Sequence, residues 1–127
     1  MTTLTSSAAP VPEQAADHPR MVRGLLNIAH ALDHLFLLIF AAAVSTIALD
    51  MGMAQWQDLM PYGAGAFFMF GLGSLPAGRL GDLWGRRSMM LVFFFGIGAA
   101  SILTALAQTP WQLAGCLTLI GVFASIY

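Results

Sequence analysis

The side chains with the most chemistry in this sequence lie close together in one apolar stretch: Asn27, His30, Asp33 and His34. On a helix, at about 100° per residue, these four fall within an arc of roughly 120°, so an amide, a carboxylate and two imidazoles share one face. Ser45 lies farther along the same face. Turned toward lipid, such groups are costly; by default they face a bundle interior or a water-filled path. Histidine titrates near neutral pH, which suits a proton relay. Burial and neighbouring imidazoles act on a carboxyl in opposite senses, a competition that a proton-coupling site needs. Asp33 is therefore the candidate for proton coupling, with Asn27, His30 and His34 lining the same pathway. The competing structural account sets Asn27 and His30 near lipid headgroups, where polar groups cost little.

His30 and His34 also have the i, i+4 spacing of helical metal sites, with Asp33 as a third donor. Against that, residue 31 is alanine, so His-Glu-x-x-His is absent, and no second His or Cys cluster exists in the sequence. Neither a metal nor a cofactor is expected. Ser45, Thr46, Ser101, Thr104 and Ser125 lack a base and an orienting third group, so an enzyme is not expected either. Gly71-x-Gly73 lies inside an apolar run rather than after a strand, which argues against a phosphate loop.

Composition says what must position these residues. The chain of 127 residues is 58% hydrophobic and 9% charged, against about 25% charged in ordinary soluble domains. Mean hydropathy is +0.78. A domain of this size leaves much of its surface exposed, so lipid is the solvent that such a chain requires. A net charge of −1 with no lysine excludes the clustered basic face of a nucleic-acid binder. The single cysteine, Cys116, lies in an apolar run and reads as a small packing residue.

Four apolar segments follow, approximately Gly24–Leu49, Pro61–Ala77, Ser88–Ala107 and Pro110–Tyr127. Each approaches the ~20 residues that cross a bilayer as a helix. The expected fold is all-α, with about four transmembrane helices over residues 22–127. Residues 1–21 are read as a disordered cytoplasmic tail, because the Thr/Ser/Ala/Pro-rich start lacks apolar periodicity and a positively charged signal region. Thr109 and Pro110 read as an N-cap and a first helical residue, and Pro61 as a similar opening. Arg20, Arg23, Arg79, Arg86 and Arg87 all fall on one side of such a topology, which makes that side, and the N-terminus, cytoplasmic. Trp56, Tyr62, Trp84 and Trp111 read as interfacial anchors. Small-xxx-small spacings at Gly73/Ala77, Ser74/Gly78 and Gly96/Ala100, with Gly71 close by and Ala114, Thr118, Gly121 and Ser125 in the last segment, mark helix contacts. Pro76 is expected to kink the second helix.

Between the second and third segments lies Gly78-Arg79-Leu80-Gly81-Asp82-Leu83-Trp84-Gly85-Arg86-Arg87, read as a short charged turn. Its glycines allow close approach and unusual dihedrals, and Asp82 lies within pairing distance of Arg79 or Arg86 if helix persists. Gly78, Leu80, Gly81, Asp82, Gly85, Arg86 and Arg87 resemble the signature of the major facilitator superfamily, Gly-x-Leu-Ala/Gly-Asp-Arg/Lys-x-Gly-Arg-Lys/Arg, in its proper slot between the second and third helices. Leu83 stands where that family usually has a basic residue, and no arginine occurs in the fourth segment, where members often carry one.

The resemblance implies a multi-pass inner-membrane secondary carrier, often a proton-driven exporter of small solutes or drugs, whose two six-helix halves rock around a central site. It implies that Gly78 permits a close contact with the other half, that Asp82 is the gating acid, and that Gly81, Gly85, Arg86 and Arg87 complete the gating motif. The run Gly121–Tyr127 is also similar to the fourth helix of the fosmidomycin-resistance-like group. Four helices match only the first part of an amino-terminal six-helix bundle, so the chain is expected to be a fragment. Its partners are then the bilayer, the missing C-terminal helices, a small-molecule substrate and protons. The alternative is a small four-helix membrane protein that assembles with partners and moves nothing.

Overall fold

A computed structural model describes residues 19–127, and over these residues the chain is helical, with no strand. Helix α1 spans Pro19–Asp50, α2 Ala64–Trp84, α3 Arg86–Ala105 and α4 Pro110–Ala124. Two short 3-10 turns, Trp56–Asp58 and Met60–Gly63, lie between α1 and α2. α1 and α3 are long and apolar enough to cross a membrane. α4 is apolar but has 15 residues, and α2 interrupts its apolar run with Pro76, Arg79 and Asp82.

α1 buries a narrow stripe at helical spacing: Ala29, Asp33, Leu37, Phe40, Val44 and Ala48. It ends where Gly52 takes φ +70° and the Met53 N–H donates to the Ala48 carbonyl, which satisfies carbonyls that the helix leaves open. α4 is the centre of the bundle. Its Leu113, Leu117, Ile120, Gly121 and Ala124 are buried, and both α2 and α3 pack along it. It starts as expected: Thr109 Oγ1 accepts from the Gln112 N–H at 3.3 Å, with Pro110 in the first turn.

Contact pairs fix the directions. Gly65, Ala66 and Gly73 of α2 meet Thr118, Gly121 and Ser125 of α4 in the same order, so these two helices run parallel. Phe93 of α3 meets Tyr127 and Gly96 meets Phe123, so α3 runs against α4. The Tyr127 hydroxyl reaches the Leu26 carbonyl, so α1 also runs against α4. The result is an up-down-up-down bundle. The start of α1 and the α2–α3 junction share one end, and all five arginines lie there. Tyr62 and Trp111 meet edge to face at the opposite end, near Trp56, while Trp84 lies at the arginine end.

Several expectations need correction. The segment Gly78–Arg87 is not an extended turn: α2 continues to Trp84, and Gly85 alone separates it from α3. Gly85 has φ +79° and ψ 152°, a conformation open essentially only to glycine, so one residue reverses the chain. Gly78 and Gly81 are helical instead, since an isolated glycine costs a helix only about 1 kcal/mol relative to alanine. α2 begins at Ala64, not Pro61, which lies in the second 3-10 turn. Residues 19–21, read as tail, belong to α1; the rest of that tail lies outside the described residues. α3 is shifted two residues earlier than expected, and α4 ends at Ala124 rather than Tyr127.

Of the small residues, Gly65, Gly73, Gly96 and Gly121 meet neighbouring helices, whereas Gly71 and Gly78 face open space. The bundle exposes large apolar groups all round, among them Phe68, Leu75, Phe95 and Leu103.

Candidate functional site

The polar face of α1 divides in the folded chain. Asp33 takes a core position on the buried stripe, one turn from Ala29 and one from Leu37, and is 2% exposed. Its Oδ1 has no hydrogen-bond partner. A buried acceptor left so costs about 1–3 kcal/mol, more if charged, which folding alone does not call for. His30 and His34 flank the stripe and are exposed, as are Asn27 and Ser45. Of the four predicted pathway residues, only Asp33 therefore faces the bundle interior.

The two histidines are nonetheless close to the acid. Their rings pack edge to face with centroids 4.6 Å apart, and one donor atom from each of His30, Asp33 and His34 lies within 4.8 Å of the others. That set is the group among the described residues able to hold a metal ion.

Tyr127, just beyond the end of α4, packs on the cluster at His30. Its ring stacks on His30 with centroids 5.5 Å apart, and its hydroxyl donates to the Leu26 carbonyl at 2.6 Å. Sequence reasoning missed this residue, because the partners lie 101 positions apart and no local pattern links them.

Beyond Asp33 the same face of α1 opens on a groove. Phe36, Phe40, Ala43, Ile47 and Asp50 follow Asp33 at intervals of three or four residues, and all five line a cavity of about 350 Å³ between α1, α3 and α4. The wall is apolar in effect, since the hydroxyls of Ser101 and Thr104 donate to the Ile97 and Ala100 carbonyls of their own helix at 2.7 Å. Asp50 stands at the mouth, at the end of the bundle opposite the arginines. The lining reaches Phe36 on α1, three residues from Asp33, which lies outside it.

The second predicted group stays dispersed. Gly78, Asp82, Gly85, Arg86 and Arg87 are exposed and Gly81 is half-buried against Met89. Among the described residues, no ion pair joins Asp82 to Arg79, Arg86 or Arg87. Comparison with known protein families, curated proteins and solved structures finds no match to this chain.

Proposed function

We propose that these four helices are the amino-terminal part of a membrane-embedded secondary transporter of the major-facilitator type, with Asp33 as its proton-coupling acid. The observation that carries the proposal is the unpartnered oxygen of Asp33, buried midway along an apolar helix. At 1.5 Å per residue, the ten residues from Arg23 to Asp33 span about 15 Å, half of a ~30 Å hydrocarbon core. With Arg23 at the cytoplasmic headgroups, Asp33 sits near the midplane, where secondary carriers hold substrate and coupling ion. An intramembrane ionisable residue that faces a bundle interior is by default functional.

The groove lies on the non-cytoplasmic side of Asp33, with Phe36 as its lining residue nearest to Asp33 along α1. The exposed Gly71, Ser74 and Gly78 give α2 an unpartnered small-residue side, the kind of surface that receives another membrane helix. In the motif resemblance, Gly78 and Asp82 face the other half of the carrier, and both are exposed here. The five arginines at one end make that end cytoplasmic.

The test is pH-driven transport by the full protein in proteoliposomes. Asp33→Asn should abolish it with normal expression and helicity. Undiminished transport by Asp33→Asn would remove Asp33 from the mechanism.

A further inference from the structure

We infer that His30, Asp33 and His34 form a binding site for a divalent first-row transition-metal cation of the zinc type. Two independent observations meet here. The first is geometric. Two imidazoles one helical turn apart and the carboxyl between them present donor atoms within 4.8 Å of one another. Around a tetrahedral ion with bonds of about 2.0–2.2 Å, donors stand roughly 3.3 Å apart. Rotation of the exposed His34 side chain would narrow the spacing toward that value. The second is the buried Oδ1 of Asp33 that nothing in the bundle satisfies. A bound cation satisfies it directly, through the strongest kind of contact open to a buried carboxylate.

The donor set selects the ion. Imidazole nitrogen suits zinc, cobalt, nickel, copper and iron, whereas magnesium and calcium take oxygen donors. Two histidines and one carboxylate leave at least one coordination position open, as befits an ion that enters and leaves. Both histidines lie on the surface of the described bundle. Tyr127 stacks on His30 and is itself tied to the Leu26 carbonyl, which restrains that imidazole. The sequence pattern lacked the metalloprotease signature and a second cluster, which argues against metal enzymology. It does not argue against a three-donor binding site. That the cation is also the transported substrate rests on the transporter reading above.

The experiment uses the full chain in detergent micelles with Co2+ alone as the probe, read by its visible d–d absorption, and Zn2+ in competition with a chromophoric chelator. The expected result is saturable 1:1 binding, weakened at least ~100-fold by Asp33→Asn or by His34→Gln, since loss of an outer-shell partner alone costs 10–100-fold. His18→Ala, which removes the one histidine outside the cluster, should leave binding unchanged. His34→Gln lies at an exposed position and keeps the fold in hand if Asp33→Asn lowers helicity. Absence of 1:1 binding, or binding that survives either substitution, overturns the site. Vesicle assays on the full protein, of which these helices are the proposed amino-terminal part, separate it from the transporter reading. Binding without Co2+ uptake or pH-driven transport keeps the site and removes the carrier; pH-driven transport in protein that binds no Co2+ keeps the carrier and removes the site.

Discussion

Gly121 sits where α4 crosses α2, and replacing it tests whether that crossing holds the bundle. A Cβ built at Gly121 lies 2.7 Å from the Ala66 carbonyl carbon and 2.8 Å from its Cα. Those are backbone atoms of a neighbouring helix, so no rotamer change relieves the clash. Ordinary contact begins at 3.4 Å, so Gly121→Ala must part the two helices by at least 0.7 Å, the difference between 3.4 and 2.7. A gap of that order forfeits a quarter to a half of each dispersion contact around it. Overpacking of this kind costs ~1–3 kcal/mol.

Alanine also gains up to about 1 kcal/mol of helix propensity over glycine. Gly115→Ala isolates that gain, because Gly115 lies in the same helix with nothing within 4 Å of its Cβ. The difference between the two variants is therefore the clash alone. At roughly 4 °C per kcal/mol for a chain of this size, Gly121→Ala should melt about 4–12 °C below Gly115→Ala. Thermal unfolding in detergent followed by helical circular dichroism reads this difference. Equal midpoints would refute the close α2–α4 crossing, and with it the assignment of α4 as the bundle centre.

Two further outcomes concern the junction and the site. Gly85→Ala should destabilise the bundle by ~1–3 kcal/mol although no atom crowds the position, whereas Gly78→Ala, helical and equally open, should be neutral or mildly stabilising; the same melts decide it. Asp33→Leu should raise stability by ~1–3 kcal/mol, because it removes an unpartnered buried acceptor and extends the stripe between Ala29 and Leu37, while abolishing transport and Co2+ binding together. A loss of stability there would mean that the carboxyl is satisfied in the native protein.

Much of this arrangement was legible in the residues, and the failures have specific causes. The 3.6-residue period put Asn27, His30, Asp33 and His34 on one face, yet a 120° arc is wide enough to include both buried and exposed positions. Which member faced inward depended on the centre of the stripe, set by Leu37, Phe40 and Val44 farther along α1. The cap at Thr109 was readable because it is local. The junction was not, because glycine count says nothing about which glycine takes a positive φ: Gly78 and Gly81 lie within α2, whereas Gly85 takes φ +79° even though its N–H still donates to the Gly81 carbonyl. Pro61 opened a 3-10 turn rather than a helix, since proline at a first turn is compatible with either. Tyr127 came to His30 through tertiary packing, about which sequence spacing carries no information.

Tight and loose packing are unevenly distributed around the site. α2 and α4 touch backbone to backbone at Ala66 and Gly121, and Phe123 of α4 fills the space above Gly96 of α3. Separating either pair breaks many contacts at once, so α2, α3 and α4 form a stiff unit joined by a one-residue hinge of fixed geometry. α1 differs. It leaves a groove of about 350 Å³ on its α3 side and is tied to the far end of α4 through Tyr127. The costly feature of the structure, an unsatisfied buried carboxyl, thus sits on the helix least restrained by its neighbours. A local violation of polar satisfaction is expected at functional sites rather than in scaffolding. A shift of α1 relative to the stiff unit changes the groove and the surroundings of Asp33 together. Under the function proposed above, occupancy of the cluster by proton or cation would bias the position of that one helix only through different interaction with its two positions.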